Sequence, residues 1–186
     1  MLASNPKLAA MKSQIRLDMT ADGLRIQIVD EQSRPMFDSG SAVVKPYMRE
    51  LLRGIGAVLT EVPNRLTLEG HTDAVPFPGG ERGYSNWELS SDRANASRRE
   101  LVAGGLTDDR VLRVQGLASS NLFEPAQPDS PANRRISIIV MNREAEDRFF
   151  RPGVEVEANT SPSANAIAPL APPIEPVPSI SPSAAR

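Results

Sequence analysis

The chain has 186 residues, enough for one domain with appendages or at most two small ones. Apolar residues make up 40% of it and aromatic ones only 4%, so a core must be built mainly of Leu, Ile, Val and Ala. A formal net charge of −2 argues against a protein that holds nucleic acid through its overall field, and the lack of cysteine excludes disulfides, thiolate chemistry and Cys-based zinc sites.

No apolar run approaches membrane-spanning length, and residues 1–7 lack the basic and apolar regions of a signal peptide. That pattern suits either a cytosolic protein or a soluble piece of something longer. Residues 1–14 read as a short N-terminal helical segment, the end of a truncated linker, with Pro6 in its first turn and Leu8, Met11 and Ile15 at helical spacing.

Ile15, Leu17 and Met19 then alternate with Arg16 and Asp18, residues 21–23 supply turn chemistry, and Leu24, Ile26 and Ile28 alternate with Arg25 and Gln27. This predicts an antiparallel hairpin with one face buried. Residues 30–41 lapse into a loop, where Phe37 reads as a plug on the core rather than a binding aromatic. Pro46 suits a first helical turn, and Met48, Leu51, Leu52, Ile55, Val58, Leu59 and Val62 make an apolar stripe that ends before Pro63. Gly54 and Gly56 each weaken that helix by about 1 kcal/mol relative to Ala, unless close packing on a neighbour compensates.

Residues 66–101 organise the rest. Leu66 and Leu68 alternate with Thr67 and Glu69 in a strand, and Gly70 releases the chain so that His71, Thr72 and Asp73 lie just past its carboxyl end. Open α/β sheets usually place ligand groups there. After a Pro/Gly-rich loop, Ser85 and Glu88 form a capping box that opens a helix, and Gly104-Gly105 ends it. Asn86, Leu89 and Arg93 share one face near its amino end, while Trp87, Ala94, Leu101 and Val102 read as the packing side. A cation in the second turn gains nothing from the helix dipole. An anion meeting both the helix start and a guanidinium would account for it.

Residues 111–115 make a further strand, followed by a long loop through residue 133. A last strand over residues 136–141 has apolar side chains on both sides, which predicts a central or covered position. The order ββαβαββ defines an α+β fold, a mixed α/β sandwich with a mixed sheet and helices packed on one face, over residues 15–143. Residues 144–186 read as a Pro/Ser/Ala-rich flexible tail, and there is no internal repeat.

His71 is the only histidine, with Asp73 two residues on. A metal or general-base role is conceivable, but a lone His without Cys is a poor ligand set and no nucleophile stands in a recognised context. A histidine that orders the loop through hydrogen bonds is the simpler reading. Asp73 and Arg93 admit two readings equally: a surface ion pair contributing about 0–1 kcal/mol, or a matched acid and base facing a zwitterion. Arg98 and Arg99 suit a solvated face, whereas Arg134-Arg135 opens a strand after a long loop, where at least one side chain can reach a neighbouring site.

Three stretches in order, residues 70–73 (Gly-His-Thr-Asp), residues 86–94 (Asn-Trp-Glu-Leu-Ser-Ser-Asp-Arg-Ala) and residues 133–138 (Asn-Arg-Arg-Ile-Ser-Ile), resemble the pattern of OmpA-like peptidoglycan-binding domains. Residues 34–42 and 83–89 more closely resemble the MotB family, the cell-wall-anchoring subunits of flagellar stators. The resemblance implies a non-enzymatic, periplasmic domain of a single-pass inner-membrane protein that grips the diaminopimelate stem peptide of peptidoglycan. Asp73 would meet the diaminopimelate ammonium and Arg93 its carboxylate, with Thr72, Asn86, Leu89 and Arg134 lining the pocket.

The same resemblance implies a homodimer and a MotA-like stator partner, reached through a transmembrane helix not in this chain, with no cofactor. Residues 74–84 depart from the general pattern by forming a longer loop that covers or reshapes the pocket. The alternatives are an OmpA or Pal-type outer-membrane tether, or a cell-wall hydrolase working through His71 and Asp73.

Overall fold

Alternation of apolar and polar residues produces the first hairpin, Ile15–Thr20 (β1) with Gly23–Val29 (β2), paired antiparallel from Ile15 opposite Ile28 to Thr20 opposite Gly23. It belongs to a computed structural model that describes residues 13–78 and 83–151. The expected helix over residues 1–14 and the flexible tail lie outside the described residues, apart from Ser13 and Gln14 and the stretch 144–151.

Pro46–Leu59 (α1) follows, then Leu66–His71 (β3), Asn86–Ala103 (α2), Val111–Gly116 (β4), Arg135–Met141 (β5) and Arg143–Phe150 (α3). The five strands form one sheet in the order β1-β2-β5-β3-β4, with β3 and β4 parallel and every other pair antiparallel. β5 is central and buried along its whole length, which is why both of its faces are apolar.

One face of the sheet carries the main core. Ile26, Ile28, Leu66, Leu68, Ile136 and Ile138 meet Met48, Leu51, Leu52 and Ile55 of α1 and Leu101 of α2. The helices approach closely at two glycines. A Cβ at Gly70 would lie 2.0 Å from the Ser90 carbonyl oxygen of α2, and one at Gly56 would lie 2.3 Å from that of Leu101. Gly56 is therefore compensated by packing, whereas nothing lies within 4 Å of a Cβ at Gly54, whose helix-weakening effect is not offset.

Three expectations change. The hairpin's apolar face is covered along β2 and at Ile15, whereas Leu17 and Met19 of β1 are 60% and 79% exposed, because β1 is an edge strand that no helix among the described residues covers. Of the expected packing side of α2, Ala94 and Leu101 are fully buried, but Trp87 is 54% exposed and Val102 only half-buried; Ser90 and Ser97 join the buried face in their place. Finally, α3 occupies the beginning of the stretch read as tail. It buries Ala145, and Phe149 stands with Ile139, Met141 and Thr67 on the sheet face opposite α1 and α2.

Candidate functional site

The carboxyl end of β3 is pinned before it reaches the site. Leu117 N–H donates to the Gly70 carbonyl at 2.9 Å, Thr72 N–H to Ala118 at 2.9 Å and Ala74 N–H to Pro128 at 3.0 Å, so the long loop after β4 clamps residues 70–74. Asn133 organises that loop. Fully buried, it accepts from Glu124 N–H and donates to the carbonyls of Gln127 and Pro128.

On the other side, the amino end of α2 carries the expected capping box. Ser85 N–H donates to Glu88 at 2.8 Å, and Trp87 N–H donates to Ser85 Oγ at 3.2 Å. Asn86 Nδ2 donates to the Val75 carbonyl at 2.9 Å, tying the loop after β3 to the helix start.

Between these elements lies a cavity of about 660 Å³. Thr72, Asp73, Asn86, Leu89, Arg93 and Arg134, the six residues singled out from the sequence, all line it. Asp30, the Met36-Phe37 segment and Val75, Pro76 and Phe77 of the loop after β3 complete the wall. A side chain at Gly40, where φ is +61°, would meet the Phe77 ring at 3.6 Å, so two loops converge over the opening.

The charge pairing differs from the ion-pair reading of Asp73 and Arg93, which do not pair with each other. Asp73 pairs with Arg134, whose Nη1 donates to Asp73 Oδ2 at 2.8 Å while its Nε donates to Asp30 Oδ2 at 2.8 Å. Arg93 is 7% exposed and held by neutral groups. Its Nε donates to the Ser41 carbonyl at 2.9 Å, and its guanidinium carbon lies 5.0 Å from the centroid of the Phe37 ring. Phe37 is thus buried against the core, as expected, and also carries Arg93.

The electrostatics follow from burial. Desolvation raises the Asp30 carboxyl above its ordinary value, although Arg134 and the Met36 N–H pull it down. Burial lowers the Arg93 guanidinium, with Asp30 and Asp73 opposing. Burial also acts against the charge of Arg134, but its bonds to the two carboxylates outweigh this and raise it. Arg134 bridges two carboxylates, and Arg93 keeps N–H groups beyond those given to the 38–41 segment, since a guanidinium has five.

His71 does not order the loop by hydrogen bonds. Its side chain is 1% exposed, Nε2 stands 3.7 Å from Glu69 Oε2, and neither ring nitrogen has a hydrogen-bond partner among the described residues. Asp30 is the residue that sequence reasoning missed. It stands at a strand end with no motif around it, and its two partners lie 6 and 104 positions away.

Fold and cavity together define an α+β domain with paired charges lining one cavity. The chain belongs to the OmpA family, which it matches over residues 36–135. It is 52% identical over 155 residues to Motility protein B of Escherichia coli K12, a match covering 83% of this chain and 50% of that protein. The chain thus spans about half the length of that relative.

Among solved structures it is similar to the periplasmic domain of Helicobacter pylori MotB, with a TM-score of 0.62 at 18% identity, covering 77% of this chain and 94% of that one. It is also similar to the cell wall anchor of the type VI secretion system from Pseudomonas aeruginosa, with a TM-score of 0.58 at 25% identity, covering 73% and 94% respectively.

Proposed function

We propose that this chain is the non-enzymatic, periplasmic anchoring domain of a MotB-type flagellar stator subunit, binding peptidoglycan through the diaminopimelate of its stem peptide. The observation that carries the reading is the convergence of Asp30, Asp73, Arg93 and Arg134 on one cavity. The free end of a diaminopimelate side chain holds an ammonium and a carboxylate on one carbon. Asp73 is the acceptor for the ammonium, and the unspent N–H groups of Arg93 and Arg134 are donors for the carboxylate. Thr72, Asn86 and Leu89 shape the wall around them.

An anchor must resist force, so many attachments to a fixed polymer suit it. A homodimer would supply two such domains and gain avidity from their linkage. In the intact subunit a membrane-spanning segment would place this domain in the periplasm and engage a MotA-like partner; no helix among the described residues is long and apolar enough to cross a membrane.

Retention on purified sacculi tests the reading. Asp73→Ala and Arg93→Ala should each weaken retention about tenfold while the circular dichroism spectrum stays native, and bound muropeptides should be recovered with unchanged mass. Undiminished retention in both variants would overturn it.

A further inference from the structure

Asp30 is almost fully buried, faces the cavity and is given no ligand contact in the binding scheme above. Its two oxygens do different things. Oδ1 accepts the Met36 N–H at 2.6 Å, and Oδ2 accepts Arg134 Nε at 2.8 Å. The first bond fixes the residue before Phe37, whose ring and following carbonyls hold Arg93. The second fixes the guanidinium that contacts Asp73. One carboxylate therefore sets the position of both cavity arginines.

The Asp30 bond also limits how Arg134 meets Asp73. With Nε occupied, Arg134 offers Nη1 to a single oxygen, Oδ2, of Asp73. A guanidinium without that restraint can turn its fork onto a carboxylate and pair through two parallel bonds, the strongest geometry available to it. Such a pair would take a lone pair on both Asp73 oxygens and compete with an incoming ammonium for the carboxylate. Charge balance points the same way: the cavity's three carboxylates, Asp30, Asp38 and Asp73, already stand against four cations, Lys45, Arg93, Arg134 and Arg135, with Asp38 paired to Lys45. Neighbouring Arg135 gives its N–H groups to Gln27, Asn121 and Asn133. Removing the Asp30 charge would leave the cavity favouring anions over zwitterions.

We propose that Asp30 is a positioning residue that sets zwitterion specificity, by holding Arg134 to a one-point contact so that Asp73 stays open to the ligand ammonium. The proposal rests on the peptidoglycan reading. It concerns which charge type the cavity accepts, and not whether the domain folds.

Calorimetric titration of the full chain with two probes separates these. One probe is a diaminopimelate-containing muropeptide, and the other is the same peptide with its side-chain amine acetylated, so that only the carboxylate remains. Asp30→Asn should reduce the affinity ratio between zwitterionic and acetylated probes about tenfold, by weakening the first and sparing or strengthening the second. A purely structural role would weaken both alike, and an unchanged ratio overturns the proposal.

Asp73→Ala serves as the reference, since it should bring the ratio close to one. If it does so while Asp30→Asn leaves the ratio intact, the Asp30 proposal fails and the peptidoglycan reading stands. If the wild-type chain does not distinguish the probes, both fail. Should Asp30→Asn not fold, Asp30→Glu displaces the carboxylate by one methylene while keeping its charge. A twofold to threefold fall in the ratio is then expected, and no fall overturns the proposal.

Discussion

Arg134 and Arg135 are neighbours at the start of one strand, yet they occupy opposite electrostatic worlds. Arg134 is 28% exposed, faces the cavity and bridges two carboxylates. Arg135 also lines the cavity but is 4% exposed and has no carboxylate partner among the described residues; it donates to Gln27 Oε1 at 3.1 Å and to the carbonyls of Asn133 and Asn121 at 3.3 and 2.9 Å. Burial first, and Arg25 second, push Arg135 down to about 10.

The two-residue period of a strand sends one arginine to the helix-bearing face and the other under the long loop after β4. A charge paired with carboxylates at a cavity can exchange a partner for a ligand, whereas one walled in by neutral acceptors holds a loop in place. On the proposed reading, the same residue type is a binding group on one face and a structural brace on the other.

The contrast is broken most severely at the brace. Arg135→Met leaves Gln27 and two carbonyls without a donor and should cost about 3 kcal/mol in urea unfolding. Retention per folded molecule should stay near wild type. A loss of retention with unchanged stability would reverse the assignment.

Next in size is Gly70→Ala, whose methyl group would meet the Ser90 carbonyl of α2. It should destabilise the fold by about 2 kcal/mol and also weaken retention, because α2 carries Arg93 away from the 38–41 segment as it shifts. If unfolding and retention are both unaffected, the close approach does not set the site.

Arg134→Gln should show the opposite balance to Arg135→Met. It should cost about 1 kcal/mol of stability and lower sacculus retention at least tenfold.

The smallest effect is a pH slope on the braced face. Burial lowers His71 below its ordinary 6.5, with Glu69 opposing, so the unfolded chain takes up a proton that the folded domain refuses. The resulting stability is present above pH 6.5 and is lost as pH falls through the folded value. Glu69 is lowered by its interaction with His71, so its own contribution is present above 4.5 and lost below that. Denaturation midpoints measured from pH 7 to 5 should therefore decline in the wild type and decline less in His71→Gln. Parallel slopes would place the titrating group elsewhere.

Much of this protein could be read locally. The hairpin, the apolar stripe of α1, the Ser85–Glu88 capping box and the doubly apolar β5 each write their structure into residues a few positions apart, and periodicity and capping are properties of such short windows. Thr72, Asp73, Asn86, Leu89, Arg93 and Arg134 were nominated by spacing and family pattern, and they line one cavity.

What the residues alone could not reveal was which surfaces find a covering layer and which charges find each other. Leu17 and Met19 have the alternation of a buried face but sit on an edge strand that no helix among the described residues reaches, and Trp87 has the chemistry of a core residue but faces solvent. The Arg134 bridge joins residues 104 and 61 positions away, and Arg93 turns to carbonyls rather than to Asp73. Short-range pattern determines which elements form and which side chains point together along them. Pairing across the chain depends on how those elements dock, because desolvation and hydrogen-bond geometry act over a few ångströms in space whatever the separation in sequence.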